Sequence, residues 1–438
     1  MSNLISKIAM LGAAVLLLGL QSCVRDNCSG QEIAYMSYEP VYMSESEFLS
    51  AIQLNAPQDL KNPGKIYIYQ DYLLVNELAQ GVHIYDNTDP NNPTQIAFLA
   101  APGNYDIAVS CDKLYLDSST DLLVFDFTNP TRPELLNRIE NTFPHHLTYR
   151  GFTADPDKGK VISWTKEMKQ EAFDCNAPLP GFVENNIFRG GMQEDVINNF
   201  NAQSTSSRTA APTTSGVAGS TARFATVGNS LYVLSPKEIK VYDIQNCTAP
   251  TLTNTVTMNL WGGDAETLFP EGDRLFVGAT TGMFIFDNQD PMLPQELGSL
   301  QHGTGCDPVV AQDNYAYVTL RSTNADGPCP GWTNQLEVVD ITNPRSPLSA
   351  TVVTMDGPQG LSIDGNMLFV CDGTSGLRVL DVADPTNPKQ KARFSDVQAT
   401  DVIAFDGRLI MVGEDGLAMY SYDQDFNIEQ KGLIPVVK

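Results

Sequence analysis

"GLRVLDVADPTNP", residues 376–388, reads as a strand running into a proline-rich corner. Its near-copies decide the fold. "GVHIYDNTDPNNP" begins at Gly81, "DLLVFDFTNPTRP" at Asp121 and "EIKVYDIQNCTAP" at Glu238. "GMFIFDNQDPMLP" begins at Gly282, "QLEVVDITNPRSP" at Gln335, and a worn copy, "GLAMYSYDQDF", at Gly416. The aspartate closing each strand is a convenient marker: Asp86, Asp126, Asp243, Asp287, Asp340 and Asp381, with Ser421 in that place in the last copy. Successive markers lie 40, 117, 44, 53, 41 and 40 residues apart. A period of about 40 residues is a unit of four short strands, the size of one propeller blade.

Residues 105–140 show the four strands of one unit, "YDIAVS", "KLYLDSS", "LLVFDFT" and "PELLNRIE", separated by turn residues. Each is short, rich in β-branched and aromatic residues and partly alternating. They are named A to D from the axis outward. The quoted phrase is then strand C with the C–D corner. Its aspartate can accept hydrogen bonds from amides two or three residues on. Prolines such as Pro385 and Pro388 fix φ and remove donors, so strand C ends cleanly. The corner aspartates are therefore assigned a structural role rather than cation binding.

"LLVFD", "LEVVD" and "LRVLD", each followed by a D/N-Pro turn, resemble the LVIVD-repeat family of β-propeller proteins, which includes lipoproteins of Bacteroidetes-type bacteria. The resemblance spans roughly residues 62–436, and "GSTARFATVGNSLYVL" (219–234) is similar to a segment of the lipoprotein members. It implies an all-β propeller and an envelope location, and supplies no catalytic residues.

The spacing of 117 marks a departure. "HHLTYRGFTADPDKGKVISWTKE" (145–167) has the pattern of strands A and B, but no corner follows it. Residues 168–221 pass instead into the Ser/Thr/Ala/Gly-rich "AQSTSSRTAAPTTSGVAGS", which reads as a flexible loop. Residues 141–221 are read as a degenerate blade, giving eight in all; the alternative is seven blades with a long insertion. "EIAYMSYEPVYM" (32–43) is offered as a strand closing the ring against the last blade. The chain thus divides into a leader (1–22), a tether (23–61) and a propeller (62–438) interrupted by the loop at 168–221.

Composition narrows the function. The chain has 438 residues, 42% of them hydrophobic, enough for a large core, and a formal net charge of −25. Such a charge repels nucleic acid and anionic lipid headgroups. Near the N-terminus a short basic region precedes the apolar run Ile8–Leu20. That run is too short to span a bilayer comfortably. Leu20-Gln21-Ser22-Cys23 resembles the lipoprotein lipobox, which implies cleavage before Cys23 and its acylation. Seven further cysteines form no CxxC or Cys/His metal pattern. Cys306 and Cys329 both fall in loops on one face of the same blade, and are expected to form a disulfide.

In a propeller, A–B and C–D turns share one face, and B–C and D–A loops the other. The uniform corners occupy the first, so recognition is expected on the irregular second face. Trp164, Trp261, Trp332, His145, His146 and His302 all map there. Trp261 and Trp332 are expected to be exposed near the channel mouth, beside His146 and Asp307. Aligned positions where strand A begins read Asp106, His146, Arg223, Glu266, Asp307, Gly360 and Asp401. Such a ring could hold a divalent cation or a polar ligand. The competing reading is that it solvates the channel mouth and caps strands. No HExxH, GxSxG or Walker motif occurs, and no cofactor is assigned. The sequence therefore points to an outer-membrane lipoprotein whose propeller binds a protein or glycan. A hydrolase or lyase using the acidic/His ring, and a pure scaffold, are the alternatives. Cys23→Ala is expected to abolish lipidation and release the protein from the membrane, checked by fractionation and intact mass.

Overall fold

In a computed structural model the chain is described over residues 32–172, 217–218, 222–303, 305, 308–322 and 333–437. Seven runs of four consecutive antiparallel strands follow one another along the chain, the first widened to a six-stranded sheet by Gln53–Asn55 and Val217–Ala218 at its edges. Blade 1 comprises Pro63–Tyr69, Tyr72–Glu77, Gly81–Asp86 and Thr94–Ala100. Blade 2 comprises Ile107–Ser110, Lys113–Ser118, Asp121–Asp126 and Glu134–Ile139. Blade 3 (Phe224–Thr257), blade 4 (Ala265–Gln301), blade 5 (Val309–Thr354), blade 6 (Leu361–Phe394) and blade 7 (Ala399–Pro435) repeat the pattern.

Seven apolar clusters each join two neighbouring blades. One packs Ile66, Leu73 and Val75 of blade 1 against Ile403, Ile410 and Leu417 of blade 7, which closes the ring. The inner strands alternate side chains to both faces, and both faces are covered by neighbours. Their burial is therefore nearly continuous, as along Lys113–Ser118 and Arg274–Ala279. Each fully buried side chain such as Phe276 or Phe369 contributes on the order of 2–3 kcal/mol by leaving water.

Each corner is built by its aspartate. Asp86 Oδ1 accepts the Thr88 amide at 2.9 Å and the Thr88 hydroxyl at 2.7 Å; Asp381 Oδ1 accepts the Ala383 amide at 3.0 Å. Asp126, Asp243, Asp287 and Asp340 make the same amide contact two residues on. Three residues later a second side chain repeats the device, as when Asp384 accepts the Thr386 amide at 3.1 Å. The hydrogen bonds of Thr88 and Thr128 hold the Asp86 and Asp126 carboxyls below the usual range, Asp126 down to about 2.

The count of seven corrects the preferred reading of eight. Residues 145–167 do not start a blade. They form a 3-10 turn (Pro144–Leu147), a two-residue hairpin (Thr148–Tyr149 with Phe152–Thr153) and the strand Lys160–Ala172. That strand pairs with Glu32–Met43, which is therefore not a ring-closing strand. The first five residues of the predicted loop are strand as well, since that strand runs to Ala172. Val217–Ala218 adds to strand A of blade 1 on its axis side.

By compactness the chain falls into two units. In the smaller, the described residues are 32–37 and 168–172, all of them strand. In the larger, Tyr38, Tyr42, Leu147, Tyr149 and Phe152 pack around Ala154, Val161 and Trp164. The helix Glu45–Ala51 is started by a Ser44/Glu47 capping box, and its Phe48 is fully buried. The Arg138 and Lys160 cations lie 5.5 and 5.7 Å from the Phe48 ring. Both also bind the buried Asp121, at 2.6 and 2.7 Å. Burial works against the Asp121 charge, but Lys160, the Asn141 amide and Arg138 outweigh it and keep the carboxyl below its usual range. No helix among the described residues is long and apolar enough to cross a membrane.

A disulfide joins Cys111 to Cys247, with Cα atoms 6.4 Å apart. Cys111 occupies the A–B turn of blade 2, where it and Asp112 take φ of 51° and 54°, as a two-residue left-handed turn requires. Cys247 lies in the C–D corner of blade 3. The expected Cys306–Cys329 pair lies outside the described residues. Closing a loop of 136 residues stabilises by about 5 kcal/mol in the chain-entropy model. Replacing both cysteines by serine should therefore lower the urea midpoint well beyond the effect of Cys371→Ser. Equal midpoints for the two variants would refute this role.

Candidate functional site

In every blade the residue seven before strand B holds the same place, where the chain enters strand A beside the axis. These residues are Lys65, Asp106, Arg223, Thr267, Pro308, Gly360 and Asp401. Lys65 of blade 1 joins the ring expected from the sequence. His146 leaves it, because there is no eighth blade. Glu266 is one residue out of step, since Thr267 is the residue seven before strand B of blade 4. Asp307 lies outside the described residues, and Pro308 holds its place. The ring is thus no belt of carboxylates: across blades 7, 1, 2 and 3 it alternates Asp401, Lys65, Asp106, Arg223.

Asp106, 3% exposed, ties three blades together. Its Oδ2 accepts the Lys65 ammonium of blade 1 and, at 2.5 Å, the Arg223 amide at the start of blade 3. Its Oδ1 caps its own strand through the Ile107 amide at 2.8 Å, as Asp401 does for Val402 at 2.9 Å. Behind it, Asp117 Oδ1 accepts the amides of Tyr105 and Asp106 at 2.8 and 2.7 Å, and the Asn104 side chain at 2.8 Å. Burial and the neighbouring Asp106 charge push the Asp117 carboxyl up to about 7, against the pull of those amides and Lys65.

The insertion after blade 2 adds the histidines. The Phe143 amide bonds Thr120 O at 2.9 Å, and the 3-10 turn then carries His145 and His146 against the ring. His146 Nδ1 donates to Ser119 O at 2.6 Å, which leaves Nε2 as a lone pair 3.9 Å from Asp117 Oδ2. Burial lowers His146 to about 4, offset in part by that carbonyl and reinforced by Arg223 and Lys65. Burial, His146, Arg223 and Lys240 hold His145 well below its ordinary value. Phe143 stacks on His146 at 5.4 Å and on Phe224 at 5.5 Å. Between these groups lies a cavity of about 20 Å³. Among the described residues both ring nitrogens of His145 and the Arg223 Nε are shut from solvent without a hydrogen-bond partner. A wider cavity of about 410 Å³, bounded by Ser44, Ser119, Thr120, Asn141, Leu147 and Lys160, involves the same insertion.

A family model for the LVIVD repeat matches residues 329–354 and 358–396. Among solved structures, a Lactobacillus plantarum protein is 14% identical, with a TM-score of 0.54, covering 85% of this chain and 97% of its own. The chain is a β-propeller that carries LVIVD repeats at residues 329–354 and 358–396. The periplasmic gluconolactonase of Pseudomonas aeruginosa is 10% identical, with a TM-score of 0.49, 88% of this chain and 98% of its own being covered. For BamB of Moraxella catarrhalis the figures are 9%, 0.47, 87% and 97%. The first of these likenesses bears on the fold alone. No curated protein matches the sequence.

Of the two tryptophans among the described residues, only Trp261 is exposed. Trp164 is 7% exposed, packed in the cluster beside Tyr149. Trp261 is 42% exposed, but its ring lies 4.9 Å from Phe284 on strand C of blade 4, two strands out from the axis. Trp332 lies outside the described residues. His302 follows blade 4 and bonds Gly303 O at 2.8 Å. Glu266 acts electrostatically on the buried Arg321. His83, in strand C of blade 1, is a satisfied core residue between Glu77 at 2.9 Å and Gln95 at 2.6 Å. No group of three or more metal-ligating side chains is assembled among the described residues.

Lys65 and Asp117 were not singled out from the sequence, although a signal existed. The fifth residue of strand B reads Asn76, Asp117, Leu234, Gly278, Thr319, Cys371 and Val412, so Asp117 is the lone acid in that series. The paired shifts have opposite signs. Asp117 keeps a proton that the unfolded chain releases near pH 4, so its contribution is lost as pH rises through about 7. His146 lacks a proton that the unfolded chain takes up below about 6.5, so stability is gained as pH rises from about 4. Asp117→Asn removes the first slope only. Its urea midpoint should rise more steeply than that of the unsubstituted protein between pH 4.5 and 6.5, and a parallel profile would refute the assignment.

Proposed function

We propose that this chain is a cell-envelope lipoprotein, tethered to the outer membrane through Cys23, whose propeller is a binding module for a protein or glycan partner. The irregular B–C and D–A face is its recognition surface. The observation carrying this reading is the insertion at 140–167. It departs from the repeat, yet it is folded with buried aromatics and sets the unpartnered His145 nitrogens beside Arg223. The opposite face offers seven similar corners whose polar side chains are spent on their own turns. A module that selects one partner needs the irregular surface.

A second reading, a hydrolase or lyase, draws on one feature. Asp117, pushed up to about 7, lies 3.9 Å from the neutral His146, a pairing suited to proton transfer near neutral pH. The space beside them, about 20 Å³, takes a functional group rather than a substrate, so binding leads. Photo-cross-linking residues placed at Thr148 and Trp261 in the full chain should give discrete adducts in cells. The same residue at Thr131 or Arg345, on the corner face, should not. Adducts from the corner positions alone would reverse the assignment of faces.

A further inference from the structure

We infer that the cavity between Lys65, Arg223 and His145 binds the carboxylate of a small organic acid, in an ion pair with the Arg223 side chain. This deepens the binding-module reading and rests on it. The argument starts from which polar groups are already spent. Asp106 accepts three donors, Lys65, Arg223 N and Ile107 N, and Asp117 accepts three more on one oxygen. Their negative charge is therefore committed within the protein, which argues against a cation.

The uncommitted groups are mainly donors. Lys65 has further ammonium hydrogens beyond its one bond, Arg223 Nε has no partner, and neutral His145 offers one N–H. Two lone pairs oppose an anion, the unprotonated Nε2 of His146 and the second ring nitrogen of neutral His145, and they disfavour a multiply charged ligand. Size and shape narrow the class further. A cavity of about 20 Å³ favours a small group, and a guanidinium fork matches a carboxylate. Phe143, Phe224 and Leu234 line the same cavity, so a short apolar tail suits it. A buried donor left unpaired costs about 1–3 kcal/mol, which ligand binding would recover.

The chain's four histidines make the test direct. With 13C-labelled histidine in the full-length protein, acetate is titrated at fixed pH and at ionic strength held by sodium sulfate. His145 and His146 should shift saturably while His83 and His302 stay still, and sulfate alone should move none of them. Arg223→Gln should weaken acetate at least tenfold. If that variant does not fold, Lys65→Met read through His146 should show the same loss. No saturable shift with acetate, or a response unchanged in the folded variants, overturns the inference, as does calcium shifting these histidines where acetate does not. Cross-links from Thr148 that persist without acetate binding would leave the module standing and sink only the carboxylate. Acetate binding without cross-links would do the reverse.

Discussion

A twisted four-stranded sheet whose two faces are both apolar cannot stand alone, and this governs everything else in the chain. Each blade must meet a neighbour on either side, and only a closed ring gives the first and last blades what the middle ones have. Here closure rests on side-chain packing between blade 1 and blade 7, with the Val437 amide bonding Leu60 O at 2.8 Å as an added tie. Each blade keeps its own four strands. The corners follow from the same requirement. A chain that leaves strand C must turn sharply and at a fixed angle to lay strand D flat, and two successive aspartate or asparagine caps fix that angle.

The ring is also reinforced where the chain leaves it. Between blades 2 and 3 more than eighty residues intervene, so chain connectivity does little to hold that joint. Four devices span it instead: the Cys111–Cys247 disulfide, the Tyr115 hydroxyl donating to Cys247 O at 2.9 Å, the Asn137 side chain donating to Thr248 O at 3.1 Å, and the Asp106 carboxylate on the Arg223 amide. The Lys240 ammonium adds a bond to Thr142 O at 2.6 Å from the far side of the joint. Anchored in this way, the insertion can carry His145 and His146 to a fixed position rather than on a free loop.

The strands, the corners and their period were legible because they are local. Alternation and an Asp–Pro turn read the same in any context. The blade count was not, because an A–B-like hairpin has one side-chain pattern whether it completes a blade or a ribbon. Tyr38, Tyr42 and Trp164 decide the matter through tertiary packing. Counting a blade there hid the disulfide as well. It placed a whole unit between Cys111 and Cys247, whose loops otherwise lie on adjoining blades and the same face. Of the site, Asp106 and Arg223 were legible as polar residues at a repeated position, whereas His146 was placed there only by the extra blade and His145 was marked by its face alone. Lys65 was missed because blade 1 was not carried into the comparison. Trp261 was read correctly as lying in a loop, but its sequence position says nothing of Phe284, the ring on which it rests.

Long-range and short-range electrostatics act in opposite senses on this molecule. A net charge of −25 sets a field that slows the approach of any anion. That field is screened within about 8 Å at physiological salt, whereas the ring acts at contact distance and in partial burial, where screening is weak. At contact the relevant charges are those of Lys65, Asp106, Arg223 and Asp117, not the sum over the surface. Lys65 and Arg223 flank Asp106 in the ring, and Asp117 sheds its charge near neutrality. An anion that reaches the cavity thus meets a local balance that is neutral to slightly positive inside a strongly acidic protein. Such an arrangement favours recognition by fit over recruitment by charge.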